Sequence, residues 1–233
     1  MNYLYDLWDD LLSLLFPRIC YACGKPLLRN EKLICTECYV LMPRTNYHLD
    51  NDNPVARIFW GRCKIEKAAA FSFYNQDSRI RHLIHNLKYK GIREIGFELG
   101  KIYGIVLFDS GFTGDIDVII PVPLHPVKER IRGFNQSYLI SLGISEVTGM
   151  PVYSKSLGRA SRTETQTRKS RYERWKNVEG TFRVENAESI RGKHILLVDD
   201  VITTGSTMES CVNELLRTEG VRVSVAALGV AIV

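Results

Sequence analysis

The sequence has no internal repeat and no low-complexity run, which excludes solenoids and fibrous arrays. It also offers no membrane span. Its most apolar opening stretch, Leu4 to Phe16, carries Asp6, Asp9 and Asp10 and is only 13 residues long, whereas a span needs about 20 apolar residues. The basic start and small-residue cleavage site of a signal peptide are missing as well. Leu4, Trp8, Leu11, Leu12 and Leu15 recur at helical spacing, which predicts an amphipathic helix packed on the protein or on a partner. A peripheral membrane anchor is disfavoured, because anionic lipid would repel the acidic polar face.

What is present fits a folded chain. Hydrophobic residues make up 45% and charged residues 24% of 233 positions, enough for one cored domain plus a small appendage and against disorder. A formal charge of +5 suits a protein that handles polyanions without requiring it.

Six cysteines without a secretory leader argue against a disulfide framework and predict a reducing, cytoplasmic compartment. Four of them form two C-x-x-C units, Cys20-Tyr21-Ala22-Cys23 and Cys35-Thr36-Glu37-Cys38, with eleven residues between them. Each unit places two thiolates on one side of a tight turn, and two units make a closed tetrahedral site for Zn²⁺. With no position left for water, such an ion is structural and holds a segment too short for its own core. An iron–sulfur cluster or a redox pair is the alternative that this spacing allows. Gly24 leaves the backbone free to turn so that its amides can face sulfur. Cys63 and Cys211 read as small buried hydrophobes.

Residues 1–47 are expected to form the N-terminal helix and the knuckle, 48–66 a connector containing Asn51, Asp52, Asn53 and Pro54, and 67–233 the main domain. Strands are predicted at Ala68 to Tyr74, Asp117 to Val122, His194 to Val198 and within Val221 to Val233. Helices are predicted at Ser78 to Lys88, Ile92 to Leu107, Asn135 to Val147 and Ser206 to Arg217. Alternation at these lengths implies βαβ units and a parallel sheet flanked by helices. Ligands of such sheets sit beyond the carboxyl ends of the strands.

One of those ends is distinctive. The strand at His194 runs into Asp199 and Asp200, then Thr203-Thr204-Gly205-Ser206-Thr207, then a helix. Backbone N–H groups, hydroxyls and the positive end of the helix dipole suit a phosphate monoester. Two carboxylates would repel phosphate but accept hydrogen bonds from a ribose diol, with a divalent cation as a further option. A plain strand–loop–helix connection would explain Ser206 as a cap but not the paired acids.

Ile195 to Thr207 resembles the signature of type I phosphoribosyltransferases. The resemblance implies a donor site for 5-phosphoribosyl-1-pyrophosphate with Mg²⁺, in which the acids take the ribose hydroxyls and the loop takes the 5-phosphate. The order of motifs narrows it: the cysteine knuckle, Asn86-Leu87-Lys88-Tyr89-Lys90-Gly91, Pro121-Val122-Pro123-Leu124-His125, Arg130-Ile131-Arg132-Gly133-Phe134-Asn135-Gln136-Ser137 and the acidic loop. Over nearly the whole chain this order is similar to the ComF family, associated with DNA uptake during bacterial competence. The resemblance implies a pyrophosphate loop at Pro123, Leu124 and His125, with Arg130 and Arg132 close behind; a solvated basic helix start is the bland alternative. It also implies a flexible lid that includes Arg162, Gln166, Arg171 and Asn177. Residues 155–176 show no apolar periodicity for a buried element and carry eight of the 31 basic residues. Asn135 reads chiefly as a helix cap, and Lys88 to Gly91 either as a helix terminus or as part of the site.

Three roles follow. One is a phosphoribosyl-pyrophosphate-binding module for DNA uptake that binds or handles single-stranded DNA beside the competence machinery. Another is an active transferase to an unidentified base or amine. The third is a degenerate enzyme kept as an interaction platform, against which the intact acidic loop argues. No ammonia-generating half is legible.

Overall fold

Six strands set the architecture of the computed structural model, which describes residues 17–159 and 181–231. They are β1 (Ala68–Phe73), β2 (Val118–Pro121), β3 (Leu157–Arg159), β4 (Phe182–Val184), β5 (His194–Ile202) and β6 (Arg222–Val230). The helices are α1 (Thr36–Val40), α2 (Pro54–Phe59), α3 (Arg79–Tyr89), α4 (Arg93–Asp109), α5 (Pro126–Arg132), α6 (Gln136–Thr148), α7 (Ala187–Ile190) and α8 (Ser206–Leu215). The helix expected over Leu4 to Phe16 and the lid positions Arg162, Gln166, Arg171 and Asn177 fall outside the described residues. Among the described residues, no helix is long and apolar enough to cross a membrane.

β1, β6, β5 and β2 form one sheet in that order, every pair parallel. Successive residues feed opposite cores. In β5, Leu196 and Val198 join the cluster that includes residues of α3, α4 and α6, while Ile195 and Leu197 join the one that includes residues of α2 and α8. Burial on both faces is why these strands read as unbroken apolar runs. β5 continues past the expected end at Val198, with Asp199 opposite Ala227 and Ile202 opposite Val230. Backbone pairing needs no apolar side chain, so both carboxylates ride on the end of the strand rather than in the loop after it.

α4 and α6 pack backbone to backbone. A Cβ on Gly100 would stand 2.3 Å from the Ile140 carbonyl oxygen, and one on Gly143 only 2.1 Å from that of Phe97. Glycine at these positions lets α6 come close enough to hold its N-terminus beside the end of β2.

Two stretches without apolar periodicity are structured. β3 and β4 pair antiparallel, Leu157 opposite Val184, and both Leu157 and Phe182 are buried. A three-residue strand is too short to show a period, and its partner lies more than twenty residues away in sequence. Within the expected connector, Asn53 caps α2. Its Oδ1 accepts the N–H groups of Val55 and Ala56, and its Nδ2 donates to the carbonyls of Tyr47, Asp50 and Ala68. That helix buries Val55, Ala56 and Phe59 against the sheet.

Candidate functional site

The knuckle brings its four sulfurs together. The Sγ atoms of Cys20, Cys23, Cys35 and Cys38 lie within 4.8 Å of one another, so the set can hold a metal ion. Gly24 makes the turn with φ +77°, but its N–H goes to the Cys20 carbonyl at 2.8 Å rather than to sulfur. The amides that face Cys20 Sγ are those of Cys35, at 3.3 Å, Ala22 and Cys23. Burial alone would push the Cys20 thiol up, yet these donors outweigh it and bring the group down to about 7. Burial pushes Cys35 and Cys38 up. Three of these cysteines are buried and all four are unpaired. A closed set of four convergent sulfurs fits a tetrahedral soft-ligand cation such as Zn²⁺ and leaves no open catalytic position. Cys63 is half-buried and Cys211 buried, outside this group.

At the end of β5 the two carboxylates have different surroundings. Asp200 is buried and receives Lys88 Nζ at 2.7 Å. Asp199 accepts the Ser137 hydroxyl and the Asp200 N–H, each at 2.8 Å and both on Oδ1, which leaves Oδ2 as an acceptor. Burial first, then the Asp200 charge, push the Asp199 carboxyl up to about 7, against the opposing donors and the Lys88 cation. Lys88 closes α3 just before Gly91, whose φ is +71°. The basic helix end therefore serves the acidic pair as well as the backbone turn.

The loop of hydroxyl residues around Gly205 follows directly. Gly205, with φ +75°, caps α8, and Asp199 together with Thr203 to Thr207 lines a cavity of about 40 Å³. The Thr204 and Ser206 hydroxyl oxygens stand 3.1 Å apart. The back of the loop rests on α2: a Cβ on Gly205 would meet Ile58 Cγ2 at 2.6 Å. Arg62 donates to the Thr204 carbonyl at 2.7 Å and pairs with Glu209. Sequence reasoning singles out neither Arg62 nor Ser137. Ser137 stands in a recognised motif, but Arg62 lies 142 residues from Thr204 and no local pattern marks it.

The register Pro121 opposite Val198 sets the loop after β2 beside the acidic pair. Pro123 and Leu124 border a cavity of about 560 Å³ together with Asn135, Tyr138, Lys155, Arg159 and Glu185, among others. His125 caps α5 through Nδ1, which accepts the Val127 N–H at 3.3 Å. Asn135 caps α6 as its sequence position suggests, and its Nδ2 also donates to the Val122 carbonyl at 3.0 Å. Arg130 is exposed, and the Arg132 guanidinium lies 5.6 Å over the Tyr89 ring. Among the described residues, neither arginine contacts the acidic pair.

A parallel sheet flanked by helices, with paired acids and a glycine-centred hydroxyl loop at one strand end, defines a type I phosphoribosyltransferase-like protein, here preceded by a cluster of four cysteines. The family model "Phosphoribosyl transferase domain" matches residues 144–230. The DNA utilization protein YhgH of Escherichia coli O157:H7 is 30% identical over 213 residues, covering 90% of this chain and 89% of that protein. Competence protein ComFC of Bacillus subtilis is 27% identical over 212 residues, covering 86% and 78%. Competence protein F of Haemophilus influenzae is 32% identical over 143 residues, covering 60% and 62%. The chain belongs to the ComF family of phosphoribosyltransferase-like proteins.

Proposed function

We propose that this protein binds 5-phosphoribosyl-1-pyrophosphate and acts in DNA uptake by binding or handling single-stranded DNA. The observation that carries the first half is the end of β5. Asp199 keeps one carboxylate oxygen for a ribose hydroxyl, and the 203–207 loop with the N-terminus of α8 offers N–H and hydroxyl donors to the 5-phosphate. The loop after β2, which pairs with β5 in the sheet, would take the diphosphate. Mg²⁺ bound with the ligand would neutralise diphosphate oxygens, and Asp199 Oδ2 is an acceptor suited to its water shell. Zn²⁺ in the four-cysteine set would tie the knuckle together.

The second half rests on the names of the DNA-utilization and competence relatives and on charge. Eight Lys and Arg fall within residues 155–176, a concentration suited to a phosphate backbone. Three phosphate contacts would weaken single-strand binding about 20-fold between 50 and 200 mM salt.

The test is calorimetric titration of phosphoribosyl pyrophosphate with Mg²⁺ into the wild type and into Asp199→Ala/Asp200→Ala. Binding that disappears in the double variant supports the assignment, and absence of binding by the wild type removes it. Single-strand binding that is absent, or indifferent to salt, removes the nucleic-acid half. A transferase is the second reading, favoured by the 560 Å³ cavity beside Pro123 and Leu124, which has room for an acceptor. Pyrophosphate release that depends on one nucleobase or amine would establish it, and silence across a broad panel would reject it.

A further inference from the structure

Arg62 lies far from the acidic motif in sequence, yet its guanidinium bridges three parts of the molecule. Nη1 donates to the Ile58 carbonyl at 3.1 Å and to the Thr204 carbonyl at 2.7 Å. Nη2 pairs with Glu209 on the first turn of α8 and approaches the Ser206 hydroxyl at 3.4 Å. Both charged side chains are about two-thirds or more covered, with relative exposures of 33% and 26%, so these contacts are shielded more than those of a surface pair.

The contact to Thr204 has a geometric effect. In a planar trans peptide the carbonyl and the next N–H point in opposite directions. Holding the Thr204 oxygen toward Arg62 therefore aims the Gly205 N–H away from it. Gly205 is also the cap of α8 with φ +75°, and it is wedged so closely on α2 that a Cβ would meet Ile58 at 2.6 Å. The loop is thus shaped from behind by residues 58–62, with the Gly205 N–H turned away from them. Because Glu209 balances the guanidinium, Arg62 acts through shape more than through net charge.

We propose that Arg62 is a positioning residue for the phosphate loop, holding the Thr203 to Thr207 backbone in the form that accepts a phosphate monoester. The inference rests on the assignment of that loop to a 5-phosphate, and it adds to it a residue outside the acidic motif.

The experiment titrates ribose 5-phosphate and, separately, inorganic pyrophosphate into the full-length wild type, Arg62→Gln, Arg62→Lys and Glu209→Gln, with thermal melts to verify folding. Arg62→Gln is expected to weaken ribose 5-phosphate on the order of tenfold, the worth of one charge-assisted hydrogen bond, while pyrophosphate affinity stays within about twofold. Arg62→Lys should recover part of the loss, since an ammonium can hold one of the two sides but not the fork. The loss should persist at high ionic strength, where the charge left unbalanced on Glu209 is screened and the positional effect remains. Unchanged ribose 5-phosphate affinity in Arg62→Gln overturns the proposal, as does an equal loss for both ligands. Should Arg62→Gln not fold, unchanged affinity in both Arg62→Lys and Glu209→Gln overturns it instead. No ribose 5-phosphate binding by the wild type would bring down the loop assignment and this inference together, whereas wild-type binding with unaffected variants removes the inference alone.

Discussion

Replacing Asp199 with Asn should stabilise the protein at alkaline pH and leave it nearly unchanged in acid. The Asp199 carboxyl is raised from the ordinary value of about 4 to about 7 by burial and by the Asp200 charge. A carboxyl raised in the folded state favours folding while it is protonated and loses that advantage as pH climbs from about 4 through about 7, because the unfolded chain releases the proton earlier. Relative to a neutral side chain, the cost is under about 1 kcal/mol at pH 4 and on the order of 4 kcal/mol at pH 8. Asn removes the charge while its Oδ1 can still accept from Ser137 and from the Asp200 N–H, the two contacts Asp199 makes now. Water reaching this half-buried group reduces the gain at pH 8 to roughly half, about 2 kcal/mol. At roughly 2–4 °C per kcal/mol for a chain of this size, a rise in Tm of about 5 °C is expected at pH 8 and about 1 °C at pH 4. Thermal melts followed by circular dichroism at the two pH values decide the matter. Equal shifts at both, or a variant less stable at pH 8, would refute a carboxylate held against its own solvation. The same variant should bind phosphoribosyl pyrophosphate more weakly, since a group kept at a cost to stability is kept for the ligand.

Lys88→Gln deprives the buried Asp200 of its cation, and calorimetry should show phosphoribosyl pyrophosphate affinity falling by about tenfold. Gly143→Ala drives a methyl group into the Phe97 carbonyl; denaturant melts should show a loss of about 2–3 kcal/mol or no folded protein, whereas Gly111→Ala, with open space around it, should cost about 1 kcal/mol from its positive φ alone. Elemental analysis of purified protein should find close to one Zn²⁺ per chain, and Cys38→Ser or a strong chelator should lower Tm by several degrees; metal-free wild type with unchanged Tm would count against a structural ion.

Much of this was legible because local rules agreed with the fold. Ile119, Ile120 and the Ile195 to Val198 run are buried on both faces, and a strand in that position shows an unbroken apolar string. The acidic, hydroxyl-rich loop stood out because acids, hydroxyls and glycine fall within nine consecutive residues, Asp199 to Thr207. What stayed hidden depends on partners far along the chain. Asn51 to Pro54 reads as a connector, yet Asn53 reaches the Ala68 carbonyl and caps a helix that supports Gly205. β3 shows no alternation in three residues and becomes a strand only opposite β4. Lys88 marks a helix end by its position, but its pairing with Asp200 spans 112 residues.

The four-cysteine knuckle and the acidic pair share one helix. Asn86 of α3 donates to the Tyr21 carbonyl at 2.7 Å and Arg79 Nε to Cys38 Sγ at 3.3 Å, while Lys88, less than one turn beyond Asn86, holds Asp200. A cation on the four sulfurs would stiffen the shelf from which Lys88 reaches across, so stripping it should loosen the grip on an anion at the far end of the same rod. By linkage the effect runs both ways: a ligand that fixes Lys88 against Asp200 would tighten the binding of the ion. The appendage at the front of the chain would then act as a tensioner for the proposed sugar-phosphate site, and affinities for metal and for ligand are expected each to depend on whether the other is present.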